Sequence, residues 1–268
     1  MLQLIHNIRK NVEENQPLIH CITNYVTAND CANILLACGA SPIMAEDPDE
    51  AAEIVAQCSG LVLNMGTPNP RKLQAMKLAG WEANRLGLPV ILDPVGVGSS
   101  TLRRDAVRSM LKDLRFAAIR GNASEISALI HGISSARGVD AGEPPQSESV
   151  IECAVRLSHE TGAVVVVTGD VTDGMKTYRV TNGHPMMRTV TGAGCQLSAL
   201  LGAYVSANPG QIVEGERGPS LIARMTEQAK KFGAERVSDV IKSVDFRGEI
   251  KKVIGNKGEY EAKTVIIA

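Results

Sequence analysis

A chain of 268 residues with 28 Lys and Arg against 29 Asp and Glu has a formal net charge of -1, which leaves no electrostatic footprint for nucleic acid or an anionic membrane surface. The length suffices to bury a large core, as one large α/β domain or two small ones, and no run of about 18 apolar residues reads as a membrane span. Six cysteines, at positions 21, 31, 38, 58, 153 and 195, form no C-x-x-C pair and match no histidine spacing, which argues against structural zinc or a dithiol redox motif and fits reduced thiols in the cytoplasm.

In chain order, MLQLIHNIRKNVEENQ reads as an amphipathic helix with charges inside it, unlike the apolar core of a signal peptide. PLIHCITNYVTANDCANILLACGASPIMAE then combines a helix beginning near Val26 with the short run SPIM, which sets Met44 at a strand end. A methionine there is ordinarily core packing, and Asn24 either caps the following helix or reaches a ligand. His20 and Cys21 are neighbours on a strand, so they point to opposite faces and cannot pair directly.

GLVLNMGT (60–67), LPVILDPVG (88–96), RFAAIRGN (115–122) and GAVVVVTGD (162–170) are short runs, apolar on both faces, as expected of parallel strands covered by helices. Between them PRKLQAMKLAGWEANRLG places Leu73, Met76, Lys77, Gly80 and Trp81 at helical spacing, with Gly87 as a stop. The βαβα order predicts one sheet with right-handed crossovers, whose ligand site lies outside the carboxyl ends of the strands. Asn64, Thr67, Asp93, Arg120, Asn122 and Thr168 all stand at such ends.

Asp93 precedes Pro94, which keeps the chain extended after the carboxylate; it is a turn residue or a holder of magnesium or a phosphate-bound water. In IRGNASEI, Asn122 and Glu125 share a helix face at its start. They read as a capping pair, as ligands of a hydrated magnesium ion, or as both. Thr168 and Gly169 offer a hydroxyl and an N–H to phosphate, ahead of a hairpin turn at Asp173-Gly174. TVTGAGCQLSALLGAY runs a turn, Thr191–Gly194, into a helix, where unpaired N–H groups favour an anion. Cys195 there is either a small buried hydrophobe or a group beside the chemistry.

Taken together, HCITNYVTANDCANILLACGASPIMAE, LNMGT, ILDPVGVG, RGNASEI, VVVTGD and TGAGC, in this order over residues 1–207, resemble the hydroxyethylthiazole kinases of thiamin salvage. The resemblance implies a ribokinase-like α/β fold, with a mostly parallel central sheet flanked by helices. It implies ATP-dependent phosphorylation of the hydroxyl of 4-methyl-5-(2-hydroxyethyl)thiazole with magnesium, in homotrimers whose active sites lie between subunits. Carried over by motif, Met44, Gly192 and Asn24 would serve the substrate, and Arg120, Thr168 and Gly194 the ATP. Asp93, Glu125 and Asn122 would serve magnesium, and Cys195 would face the reacting hydroxyl. Superfamily relatives usually carry an aspartate base at the last position. A helix N-terminus can lower a thiol from ~8.5 into the range ~3.5–7.5, so a non-covalent thiolate near neutral pH is expected. Weaker readings are a kinase of another small alcohol such as a hydroxymethylpyrimidine, and a chain that binds nucleotide or thiazole without turnover. A Cys-dependent hydrolase is disfavoured, because no histidine shares a motif with Cys195.

The resemblance stops near Asn208, where composition changes: residues 208–268 hold 20 charged residues in 61, against 37 in the preceding 207. That segment resembles an internal piece of a bacterial thioredoxin reductase flavin domain. It lacks the glycine-rich fingerprint and the C-x-x-C of that family, so no flavin chemistry is expected. Its own pattern predicts a helix from about Pro219 to Gly233, strands around VSDVIKSVDF, IKKVIGN and YEAKTVIIA, and a turn at Asn256-Lys257-Gly258.

Overall fold

The computed structural model describes residues 2–131, 149–180, 190–209, 241–245, 250–256 and 258–262. Two compact units are present: Met1–Gly183 with Thr191–Gly218, and His184–Val190 with Pro219–Ala268.

In the larger unit an eight-stranded sheet has the order β2-β1-β3-β4-β5-β6-β7-β8. Its members are β1 (Leu18–Ile22), β2 (Ser41–Ile43), β3 (Gly60–Asn64), β4 (Val90–Asp93), β5 (Ala118–Gly121), β6 (Val164–Val167), β7 (Asp170–Thr172) and β8 (Thr177–Arg179). The first six strands of that order are parallel, and β7 and β8 close the edge antiparallel. The apolar runs behave as expected: β3, β4 and β6 are buried at every position. The hairpin turn also forms where predicted, with Asp173 Oδ1 accepting from the Met175 and Lys176 N–H groups.

The helices are α1 (Leu2–Asn15), α2 (Ala28–Cys38), α3 (Ala51–Val55), α4 (Pro70–Leu86), α5 (Thr101–Asp113), α6 (Ala123–His131), α7 (Val150–Thr161) and α8 (Ala193–Ala207). Local chemistry sets their ends. The Asn69 side chain caps α4 and Ser100 caps α5, while Ser149 and Glu152 form a full capping box on α7. The face of α4 differs from expectation: Lys72, Ala75, Met76, Ala79, Gly80 and Ala83 are buried, and Trp81 is 48% exposed. Small residues let this helix lie close to its neighbours, and a Cβ on Gly80 would already crowd Leu114. Helix α8 is apolar nearly all round and packs on β1, β3, β4 and β5 as well as on α1 and α2, as a helix buried on several sides must.

The smaller unit contains a three-stranded antiparallel sheet of order β11-β10-β9, made of β9 (Ile241–Asp245), β10 (Lys251–Gly255) and β11 (Glu259–Ala262). β9 and β10 fall in two of the three runs expected from the sequence, and β11 overlaps the start of the third, whose residues 263–268 lie outside the described residues. The helix expected over Pro219–Gly233, and Lys257 of the expected turn, lie outside the described residues.

Candidate active site

The strand order lines up the polar strand ends along one edge: Met44 after β2, Asn24 after β1, Asn64 on β3, Asp93 on β4, Arg120 on β5 and Thr168 after β6. The start of α8 comes down onto the middle of this row.

Asp93 is fully buried at its centre. Its Oδ2 accepts from Asn64 Nδ2 at 2.9 Å and from Ser198 Oγ at 2.8 Å. Its Oδ1 has no hydrogen-bond partner, and Arg120 Nη1 stands 4.0 Å away. Burial pushes the Asp93 carboxyl above its ordinary range, opposed by the Arg120 charge and by the bonds from Ser198 and Asn64.

Cys195 lies in the first turn of α8 and is 9% exposed. Asn24 Nδ2 and Asn64 Nδ2 each stand 3.2 Å from its Sγ, and Thr27 also hydrogen-bonds it. The expected thiolate does not follow. Burial, and then the neighbouring Asp93 charge, raise this thiol above its ordinary value, more than those three hydrogen bonds lower it. The helix N-terminus acts on a sulfur already enclosed by protein, so desolvation outweighs the dipole. Asn24 is fully engaged: its Nδ2 also reaches Asn64 Oδ1 at 3.3 Å, and its Oδ1 accepts from Thr27 N and Oγ1, both at 3.1 Å. It holds Cys195 and the start of α2 together.

The glycines before Cys195 have steric reasons. Gly192 is left-handed at φ 82, and any Cβ on Gly194 would run into the Arg120 guanidinium. Arg120 thus lies against the turn that opens α8, with Nη2 at 3.5 Å from Thr168 Oγ1 and Nε unpartnered. An arginine with a free edge beside helix-start N–H groups is suited to phosphate oxygens.

Glu125 accepts from Gly96 N and Asn122 N, each at 2.8 Å. Burial, and then the Asp93 charge, still push it up to about 7. Asn122 Oδ1 accepts from Ser124 Oγ at 2.8 Å and Glu125 N at 2.9 Å. Asn122 thus caps the helix start, the first of its two expected roles. Thr67, singled out at a strand end, instead accepts from Tyr25 N at 3.3 Å.

A sequence model of the Hydroxyethylthiazole kinase family matches residues 9–244. The hydroxyethylthiazole kinase of Clostridium acetobutylicum is 50% identical over 207 residues, 74% of this chain and 76% of the relative. The chain belongs to the hydroxyethylthiazole kinase family. The structure of the hydroxyethylthiazole kinase protein from Pyrococcus horikoshii OT3 is similar at a TM-score of 0.70 and 35% identity, over 79% of this chain and 80% of that one. A ribokinase-like superfamily protein from Enterococcus faecalis, 13% identical with a TM-score of 0.52 over 76% and 75% of the two chains, shares the fold alone. Family and fold therefore agree with the resemblance carried by the six motifs.

Sequence reasoning named Asn64 as a strand end without giving it a role, and missed Ser198 and Lys72 altogether. Ser198 lies one helical turn after Cys195, a spacing that could have drawn attention to it.

Proposed function

We propose that this chain transfers the γ-phosphoryl group of ATP to the hydroxyl of hydroxyethylthiazole. The observation that carries this reading is the meeting of three groups at one sheet edge. They are Arg120 with a free Nε, Asp93 with an unpartnered Oδ1, and Cys195 at the turn that opens α8.

Arg120, Thr168 and the N–H groups that open α8, Gly194 among them, would bind the phosphates. Cys195 and the Gly192 turn would face the alcohol, with Met44 against its ring. The alcohol oxygen attacks the γ-phosphorus, the bond to the β-phosphate oxygen breaks, and ADP leaves. Phosphoryl transfer passes through a loose transition state that depends on positioning more than on a base. A raised thiol is therefore adequate: Cys195 orients the hydroxyl, and the alcohol's proton passes late to an oxygen of the transferred phosphoryl group.

The chain's residues fit a magnesium ion. Among the described residues no cluster of three or more His, Cys, Asp or Glu could cage an ion. Magnesium with nucleotides ordinarily needs only one or two carboxylates, together with water and phosphate oxygens. Asp93, with its orphaned Oδ1, and Glu125 would supply them. When bound, the ion neutralises phosphate charge.

A homotrimer is part of this reading, supported by the exposed apolar side chains of Tyr25, Val26, Leu36 and Met44. Sedimentation velocity of the purified chain tests it. Among the described residues no helix is long and apolar enough to cross a membrane, and we place the reaction in the cytoplasm, where ATP is supplied. The smaller unit, His184–Val190 with Pro219–Ala268, is assigned no part in catalysis: it has a sheet of its own, and every site residue lies in the larger unit.

Steady-state phosphorylation of thiazole and pyrimidine alcohols with ATP and magnesium tests the activity. Preference for the hydroxyethylthiazole is expected. Turnover of a hydroxymethylpyrimidine alone would move the reading to another alcohol, and ATP binding without product would reduce it to a binding protein.

A further inference from the structure

Lys72 heads the large side chains that are fully buried, at 1% exposure, and nothing in the reaction described above uses it. It lies in the first turn of α4, whose Asn69 cap fixes the backbone N–H of Lys72 itself at 2.9 Å. Its Nζ donates to the Thr23 carbonyl at 2.5 Å, pairs with Glu46 Oε2 at 3.0 Å and sits 4.2 Å from the centroid of the Tyr25 ring. The ammonium is thus met by a carbonyl, a carboxylate and an aromatic face. Glu46 also hydrogen-bonds the Tyr25 side chain, which closes the set on itself.

These partners come from two segments that border the alcohol side of the site. Thr23 and Tyr25 flank Asn24, which holds the Cys195 sulfur. Glu46 follows Met44 by two residues. The segment after Met44 is pinned residue by residue: Ala45 O by His20 Nε2 at 2.6 Å, Glu46 by Lys72, and Asp47 by Arg71 through bonds of 2.8 and 2.7 Å. Of the three side chains that pin this segment, Lys72 is the one that also holds the Thr23–Tyr25 segment, to which Glu46 adds its own bond through Tyr25.

Stability gives little reason to bury this ammonium: its carboxylate partner Glu46 is 38% exposed, and an apolar side chain of similar volume is often equally stabilising even in place of a fully buried ion pair. The geometry points to a positioning residue: we infer that Lys72 sets the width of the alcohol site by locking the Met44 segment against the Thr23–Tyr25 segment. This rests on the reading that Met44 borders the thiazole. It makes Lys72 a determinant of which alcohols fit, while the ATP side is left alone.

The test compares Lys72→Met, Glu46→Gln and Met44→Ala in the full chain, with KM for hydroxyethylthiazole and for ATP measured separately and folding checked by circular dichroism. Lys72→Met should raise the alcohol KM about 10-fold, with the ATP KM and kcat within about 3-fold, the pattern of lost ground-state positioning. Glu46→Gln should shift the alcohol KM in the same direction by less. A folded Lys72→Met with an unchanged alcohol KM, beside a Met44→Ala that raises it, overturns the role of Lys72 and leaves the Met44 reading standing. No effect of Met44→Ala on the alcohol KM overturns both. Equal losses for ATP and alcohol in Lys72→Met mark a merely structural residue and also overturn the inference. Should Lys72→Met not fold, Glu46→Gln decides, and an unchanged alcohol KM there rejects the role.

Discussion

The Asn64 carboxamide nitrogen stands 3.2 Å from Cys195 Sγ and, with its second hydrogen, 2.9 Å from Asp93 Oδ2. One amide at the end of β3 therefore links the strand-end carboxylate to the helix-start thiol. Its oxygen is used as well, accepting from Gly66 N at 2.8 Å.

Asn64→Asp should damage activity more than Asn64→Ala. The aspartate would set a second carboxylate against Asp93 and withdraw both donors, whereas alanine only leaves them missing. Losses of about 10²-fold or more against about 10-fold in kcat/KM are expected, sizes in line with a mispositioned reacting group. Parallel kinetics of the two variants check this, and equal losses would remove the linking role.

Cys195→Ala should lower kcat by about 10²-fold through misplacement of the hydroxyl, with ATP affinity unchanged. Cys195→Asp should keep substantial activity, since a carboxylate can accept the same hydrogen bond. A covalent mechanism predicts instead that Asp is as harmful as Ala and that phosphate can be trapped on sulfur. Because the thiol is raised and enclosed, iodoacetamide should label Cys195 slowly at neutral pH. Fast labelling would contradict that placement.

Arg120→Ala should raise the ATP KM by about 10-fold or more and leave the thiazole KM nearly unchanged if, as proposed, the guanidinium serves phosphate oxygens. Gly194→Ala should reproduce that selectivity in a folded protein, since the added methyl would displace the same guanidinium. Binding titrations with ATP and with thiazole separate the two ligands. A Gly194→Ala chain with parental ATP affinity would show that the turn tolerates a side chain.

His20 supplies a pH dependence. It is buried, its Nε2 lies 2.6 Å from Ala45 O, and its Nδ1 has no partner. Burial, the larger effect, lowers its pKa below the ordinary 6.5, against the bond to Ala45, which raises it. A folded pKa below the unfolded one means that the unfolded chain binds the proton more readily. The His20 contribution is therefore complete above about pH 6.5 and is lost as pH falls through the lowered folded value. The Tm should drop on acidification from pH 7 to 5, and His20→Gln, which can still donate to Ala45 O, should flatten that drop. Identical pH profiles for parent and variant would assign the acid sensitivity elsewhere.

Local features were legible in the sequence because nearest neighbours decide them. The both-face apolar runs became β3 to β6, Asp173-Gly174 became the hairpin turn, Asn122 with Glu125 became a helix cap, and the polar strand ends came to lie along one edge of the sheet. The order of the motifs also carried the family. What the tertiary structure alone decided depends on residues far apart in the chain. Cys195 meets Asn24 and Asn64 across 171 and 131 positions, and Ser198 meets Asp93 across 105. The state of the thiol follows from that enclosure, so a rule for helix starts pointed the wrong way. On α4, likewise, Trp81 of the expected helical spacing is 48% exposed, while Lys72, outside that spacing, is buried. Periodicity shows that a helix has a buried face, but only the packed neighbours, here the Thr23 carbonyl, Glu46 and Tyr25, determine whether an ammonium can be satisfied there.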